Sequence, residues 1–166
     1  MRQPQIFFGY FLLGIFPLVF NVNAQKKLPD SLPDFNFPGV GVDSVKNSFF
    51  GKGRPLIVFY FDPTCSHCEK QAQWISESIE GFEGVDLLWL AWEINDAIPV
   101  FKEHYFSQAS DNLYFAIDPN YSFDGIFGFS EIPTVFIFDG KNNLMRKFKG
   151  EIKAERLLKI LNRNSQ

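Results

Sequence analysis

The amino-acid sequence predicts an α/β fold with a mostly parallel β-sheet and one antiparallel hairpin. Short apolar runs rich in β-branched and aromatic residues alternate with stretches of helical spacing, which is the pattern of strands covered by helices. A turn-forming cluster at residues 139–143 separates the last two predicted strands and indicates the hairpin. The chain has 166 residues, of which 46% are hydrophobic, so it can form one domain with a substantial core.

The N-terminal region has the composition of a targeting segment. Residues 6–20 form an uncharged apolar run that follows Arg2 and precedes the sequence VNA, which ends at Ala24. The run is shorter than the roughly 20 apolar residues of a membrane span. We therefore predict that residues 1–24 are a signal peptide cleaved after Ala24, with an uncleaved anchor at residues 6–20 as the alternative. Export would place the protein in an oxidising compartment in which disulfides persist.

A proline-rich linker is predicted to separate the signal peptide from the folded domain. Residues 25–34 contain Pro29 and Pro33 and are assigned to this linker, and residues 35–166 are assigned to the domain. The net charge is −3 and the chain has no run of basic residues. It therefore lacks the electrostatic footprint of a nucleic-acid-binding protein.

The first elements of the predicted domain lead to a central strand. Alternating apolar residues at 34–37 predict a brief edge strand. The run LIVFYF at residues 56–61 is unbroken rather than alternating, so we predict a strand covered on both faces. Helical spacing follows over residues 66–80, and residues 84–92 are predicted to form the next buried strand.

The second half of the domain continues the alternation and ends with the hairpin and a helix. We expect Asp96 to cap the second helix. The predicted elements are a helix at 96–106, a strand at 113–117, a short irregular or helical piece at 121–129, strands at 134–138 and 144–149, and an amphipathic helix at 152–161.

Both cysteines of the chain lie at the junction of the central strand and the first helix, in the sequence DPTCSHCEK. Unpaired backbone N–H groups and the helix dipole favour a thiolate on Cys65. Cys68 lies one turn further along the same face, so the two sulfurs can form a disulfide. His67 can donate a hydrogen bond or positive charge to the Cys65 sulfur. The predicted catalytic residues are therefore Cys65 as the nucleophile, Cys68 as the resolving thiol, and His67.

Two other interpretations of the cysteine pair are less favoured. A structural zinc site needs four ligands, and the only histidines are His104 and His67, which lies inside the pair. A disulfide between Cys65 and Cys68 closes almost no loop and would stabilise the fold little. We therefore predict a redox centre with no metal or organic cofactor.

Three segments resemble thioredoxin-fold proteins, and more narrowly the exported TlpA/ResA-like thioredoxins of Gram-negative bacteria. They are LPDF at residues 32–35, LIVFYFDPTCSHC at 56–68, and FGFSEIPTVFIFD at 127–139. The resemblance implies a thioredoxin fold, in which helices flank a central mixed sheet and the Cys-x-x-Cys motif starts the first core helix. It also implies a cis bond between Ile132 and Pro133.

The same resemblance implies a substrate site and a function. Ile132, Pro133 and Thr134 would bind an extended substrate segment beside Cys65. The substrates would be protein disulfides or dithiols in the periplasm, with a membrane donor or acceptor of electrons, and we expect a monomer. The resemblance favours a disulfide reductase. The alternatives are a disulfide-forming or isomerising oxidant and a non-catalytic peptide-binding module, whereas a peroxidase is disfavoured because the Thr-x-x-Cys spacing of peroxiredoxins is absent.

Some positions depart from the family pattern. Thr64 replaces the usual tryptophan, and Phe59 and Gln71 stand where relatives carry a buried acid. No obvious buried carboxylate is placed to accept the proton of Cys68. Glu69 is adjacent but is expected to face solvent, Glu93 and Glu131 are candidates, and water or His67 could carry the proton instead.

The histidine of the motif indicates a less reducing redox potential. Similar Cys-Pro-His-Cys and Cys-Gly-His-Cys motifs, in exported disulfide-forming and isomerising enzymes, have histidine where His67 stands. Donation from His67 to the Cys65 thiolate would stabilise the dithiol form. We therefore expect a potential less reducing than that of thioredoxin.

Overall fold

The computed structural model describes residues 28–94, 96–108, 111–128 and 131–163. The strands are β1 (Asn36–Pro38), β2 (Ser44–Lys46), β3 (Leu56–Phe61), β4 (Asp86–Ala91), β5 (Leu113–Ile117), β6 (Thr134–Phe138) and β7 (Leu144–Lys149). The helices are α1 (Ser66–Ser76), α2 (Ala97–Phe106), α3 (Ser122–Phe127) and α4 (Ala154–Arg163). The predicted signal peptide lies outside the described residues. Within the described ranges, no helix combines the length and the hydropathy needed to span a membrane.

Five strands form one mixed sheet in the order β5-β4-β3-β6-β7, and β1 and β2 pair as a small separate ribbon. β4 runs parallel to β3 and β5, whereas β6 runs antiparallel to both β3 and β7. The mixed sheet implied by the family resemblance is confirmed. The alternation of strands and helices predicted a mostly parallel sheet with one antiparallel hairpin. This pattern cannot show that β6 lies beside β3 in the opposite direction.

The central strands are buried on both faces, as their unbroken apolar sequences predict. Every residue of β3 and β4 is buried. One core cluster contains Phe59 and Trp89, whose rings stack with centroids 4.4 Å apart. The cluster on the opposite face of the sheet contains Val58 and Tyr60. The two faces of β3 therefore anchor separate hydrophobic cores, and the end of this strand is a rigid support for the residues that follow.

Several helix ends differ from the sequence prediction. α1 ends at Ser76, and a short 3-10 turn (Ile79–Phe82) completes the segment that was predicted to be helical to residue 80. α4 starts at Ala154, two residues later than predicted. The delay has a clear cause, because the side chain of Gln71 binds the backbone N–H and C=O of Ile152. In the described part of the chain, Asp96 is the N-cap residue of α2 but makes no side-chain capping hydrogen bond.

The described part of the predicted linker packs along the hairpin. The Leu32 N–H donates to the Asn142 carbonyl at 2.8 Å, and the Leu144 N–H donates to the Asp30 carbonyl at the same distance. The Leu32 side chain is buried in the second core cluster. Residues 30–32 are thus attached to the folded domain.

Candidate active site

Cys65 is the N-cap residue of α1 and lies just after the end of β3. Its backbone is extended, and its carbonyl accepts the N–H groups of Cys68 and Glu69, both at 2.9 Å. Cys65 is partly exposed, whereas Cys68 has 0% relative exposure, and both are free thiols in this structure. The helix start thus places one accessible sulfur at its positive end and one buried sulfur a turn further on.

The turn that leads into Cys65 is held by Asp62. Its Oδ1 accepts hydrogen bonds from the backbone N–H and the hydroxyl of Thr64, both at 2.7 Å. The Cys65 N–H donates to the Asp62 carbonyl at 3.2 Å. This is an Asx turn, for which an aspartate two residues before a threonine is a recognisable sequence signal. Thr64, which replaces the usual tryptophan, therefore shapes the entry to the helix.

Burial makes Cys68 a weak acid. Removal from water strongly raises the pKa of the Cys68 thiol. The backbone N–H of Asp62 partly lowers this pKa, whereas the Cys65 sulfur and the negative charge of Asp62 raise it further. Cys68 therefore remains a neutral thiol at neutral pH.

The proline loop lies directly beside Cys65. The Ile132–Pro133 peptide bond is cis, which confirms the conformation implied by the resemblance. The Cys65 Sγ lies 3.9 Å from the Ile132 carbonyl oxygen. Thr134 is buried and its hydroxyl donates to the Glu131 carbonyl at 2.6 Å. The structure thus brings the Ile132 carbonyl to the nucleophile, and the role of Ile132, Pro133 and Thr134 in substrate binding stays a prediction.

His67 has a partner that the sequence did not suggest, and its predicted role at the Cys65 thiolate stays a prediction. Its Nδ1 lies 3.0 Å from Oε2 of Glu151, and its side chain is 63% exposed. The other carboxylate oxygen of Glu151 accepts from the Lys70 ammonium at 3.2 Å. The backbone N–H of Glu151 itself, followed by Lys70 and His67, lowers the pKa of the Glu151 carboxyl to about 2 against the opposing effect of burial. Glu151 is therefore an anion that holds His67 at the edge of the site.

Glu151 was not among the predicted site residues, because no local pattern in the sequence shows that the segment before α4 lies against α1. Asp62, the carboxylate whose charge acts on Cys68, was not predicted either. Glu93 and Glu131, which were predicted as candidate proton acceptors, are both exposed. Cys68 is fully buried, so these two exposed carboxylates do not share its environment.

Gln71 fills the position at which several relatives carry a glutamate. Its side chain is fully buried, its amide donates to the Ile152 carbonyl at 3.0 Å, and its carbonyl accepts the Ile152 N–H at 2.7 Å. Both polar groups of this amide are used by one backbone unit. Gln71 therefore fastens α1 to the segment that precedes α4.

The described residues offer no cluster of three or more histidine, cysteine or acidic side chains that could hold a metal ion. His104 lies on α2, where its ring makes an edge contact with Tyr105 at a centroid distance of 4.6 Å.

Residues 43–165 match the family model of the thioredoxin-like domain. The chain belongs to the thioredoxin-like domain family. This finding confirms the resemblance to thioredoxin-fold proteins. A search of curated proteins finds no match.

Solved structures share the fold at low sequence identity. The thioredoxin domain of a thiol-disulfide oxidoreductase from Bacteroides vulgatus superposes with a TM-score of 0.67 at 13% identity, covering 84% of this chain and 99% of its own. A secreted Mycobacterium tuberculosis disulfide oxidoreductase homologous to E. coli DsbE has a TM-score of 0.65 at 13% identity, with coverages of 78% and 95%. The peroxidoxin BcpB from Mycobacterium tuberculosis has a TM-score of 0.69 at 16% identity, with coverages of 82% and 97%. The fold is thus common to proteins of different activity, and the chemistry must be argued from the site.

Proposed function

We propose that this member of the thioredoxin-like family is an exported thiol–disulfide oxidoreductase that reduces disulfides of envelope proteins. The observation that carries the proposal is the asymmetry of the cysteine pair. Cys65 is accessible at a helix N-terminus, and Cys68 is buried one turn away with a raised pKa. Thiol–disulfide exchange needs this arrangement, because one sulfur must reach the substrate while the other waits as a neutral thiol.

The reaction proceeds in two exchange steps. The Cys65 thiolate attacks one sulfur of a substrate disulfide, the substrate S–S bond breaks, and the second substrate sulfur leaves as a thiolate. Cys68 then loses its proton and attacks the Cys65 sulfur in the mixed disulfide. The first substrate sulfur leaves, so the substrate has gained two electrons and the enzyme holds a Cys65–Cys68 disulfide. A membrane dithiol donor would restore the reduced enzyme.

The proline loop supports the choice of a protein substrate. The Ile132 carbonyl lies beside the Cys65 sulfur, and an extended peptide that pairs with this loop would carry its own sulfur to the nucleophile. Export is supported by the signal-peptide pattern of residues 1–24 and by the secreted character of one structural neighbour. The cysteine pair could also work in the oxidising direction, and His67 within the motif is the observation that favours this second candidate.

Reduction of insulin in the presence of dithiothreitol tests the proposal. We expect the wild-type protein to accelerate precipitation of the insulin B chain and Cys65→Ser to abolish the acceleration. Cys68→Ser should accumulate a mixed disulfide, since its Cys65 attacks but is not resolved. A wild-type rate equal to that of Cys65→Ser would indicate a peptide-binding module without turnover.

The direction of electron flow is tested separately by reoxidation of a reduced, unfolded protein that contains cysteines. Two rates are compared: the rate at which the oxidised enzyme forms disulfides in this protein, and the rate at which the reduced enzyme releases free thiols from its disulfide-bonded form. A higher rate of disulfide formation would favour the oxidant. We expect a higher rate of thiol release for the proposed reductase.

A further inference from the structure

Residues 150–153 form a short strap that joins the separate parts of the site. The Gly150 N–H donates to the Pro133 carbonyl at 2.8 Å, and the Ile152 backbone makes both hydrogen bonds with buried Gln71. The Lys153 ammonium lies 3.6 Å from the ring centroid of Trp74, further along α1. The position of the strap over the exposed side of α1 is therefore fixed on both sides of Glu151.

The carboxylate of Glu151 reaches from this strap to the residue between the two cysteines. Its Oε2 lies 3.0 Å from His67 Nδ1, and its Oε1 lies 3.2 Å from Lys70 Nζ. The carboxylate side chain is only 21% exposed, although His67 itself is mostly exposed. Glu151, whose backbone is fixed by the strap, thus holds the exposed His67 side chain in place.

The contact fixes the proton of the histidine ring. An ionised carboxylate only accepts hydrogen bonds, so the Nδ1 that faces Glu151 carries the proton. In the neutral ring, Nε2 is then an acceptor without a proton. This neutral tautomer has no second N–H group to donate to a thiolate, because its one N–H group is already used by Glu151.

We propose that Glu151 is a positioning residue that withholds the His67 imidazole from the Cys65 thiolate and so keeps the cysteine pair more reducing than its Cys-Ser-His-Cys motif alone would make it. The inference rests on the proposed thiol–disulfide exchange. It also resolves the conflict between the motif, which favours an oxidant, and the family resemblance, which favours a reductase. Without Glu151 the ring can donate to the thiolate, and the dithiol form becomes more stable.

The test is a double-mutant cycle of equilibrium constants with glutathione. Glu151→Ala should make the protein harder to oxidise by about two- to fivefold, the range for one exposed charged contact. Loss of the carboxylate also leaves the positive charge of Lys70 without its ion-pair partner, but that effect is the same when His67 is absent. The shift caused by Glu151→Ala should therefore be larger in the wild-type background than in the His67→Ala background. Equal shifts in the two backgrounds would overturn the inference.

Glu155→Ala is the matched control, because it removes a neighbouring exposed carboxylate from the first turn of α4. We expect it to change the constant by less than about 1.5-fold, as for most exposed charges. If Glu155→Ala and Glu151→Ala have the same effect, the cause is net charge rather than the contact with His67, and the inference is wrong.

A second measurement does not depend on redox activity. Long-range ¹H–¹⁵N correlation spectra report which ring nitrogen of a neutral histidine carries the proton, and His104→Gln identifies the signal of His67. We expect the proton on Nδ1 in the wild type and a shift toward Nε2 in Glu151→Ala. A wild-type ring protonated on Nε2 would contradict the inference even if the enzyme is active. Failure of the wild-type pair to exchange with glutathione would instead overturn the proposed function, and the inference with it.

Discussion

Replacement of Gln71 by leucine should destabilise the protein strongly although the volume of the side chain hardly changes. The wild-type amide donates to the Ile152 carbonyl at 3.0 Å and accepts the Ile152 N–H at 2.7 Å, and both residues are buried. Leucine leaves two buried backbone groups without a partner. Each such group costs about 1–3 kcal/mol, so we expect the free energy of unfolding to fall by about 2–6 kcal/mol.

Urea unfolding followed by circular dichroism measures this loss, with Gln73→Leu as the matched control. Gln73 is an exposed residue of the same helix whose amide donates to the Glu77 carboxylate at 2.9 Å. Its replacement should change the free energy of unfolding by no more than about 0.5 kcal/mol. If the two variants unfold at the same urea concentration, the Ile152 N–H and C=O find other partners, and the hydrogen bonds with Gln71 do not stabilise the fold.

Three further outcomes are expected. Iodoacetamide should alkylate the Cys68→Ser variant, which retains Cys65, much faster at neutral pH than the Cys65→Ser variant, because Cys68 is buried and its pKa is raised; a faster reaction of Cys68 would reverse the assigned roles. Mass spectrometry of the protein from its native envelope should find Gln25, or its cyclised form, as the first residue, whereas intact Met1 in a membrane fraction would indicate an anchor. The pKa of Glu151 is lowered in the folded protein to about 2 from an ordinary value of 4.5, so its stabilisation is present above pH 4.5 and is lost as the pH falls through about 2. Glu151→Gln should therefore be less stable than the wild type at pH 6 by up to about 1 kcal/mol, given the partial exposure of the pair, and this difference should shrink as the pH falls to 2; a difference that does not change with pH would contradict the charge argument.

The sequence predicted the strands better than the ends of the helices. The bounds of β3, β5, β6 and β7 were predicted correctly, since each is a run of residues that favour strands between turn signals. The start of α4 was wrong because a distant side chain, Gln71, engages the Ile152 backbone before the helix can begin. Local patterns cannot show such a contact.

The candidate site divides in the same way. The spacing of the cysteines and the resemblance at residues 127–139 placed Cys65 and the cis proline correctly, because these features belong to short motifs. The partner of His67 depends instead on which carboxylate the fold brings to it, and Glu151 is far away in the sequence. The prediction that His67 donates to the Cys65 thiolate therefore did not include Glu151, which also contacts the His67 ring.

The strap has a consequence for the order in which the chain acquires its function. The hydrogen bonds between Gln71 and Ile152 join residues 81 positions apart, and Gly150 binds the Pro133 carbonyl. Contacts of such long separation form after local ones, since their loop-closure entropy must be offset first. A nascent chain that ends at residue 149 already contains both cysteines, but it lacks the segment that binds the Pro133 carbonyl and holds His67. The two thiols are therefore present in the growing chain before the contacts that fix the proline loop and His67 can form.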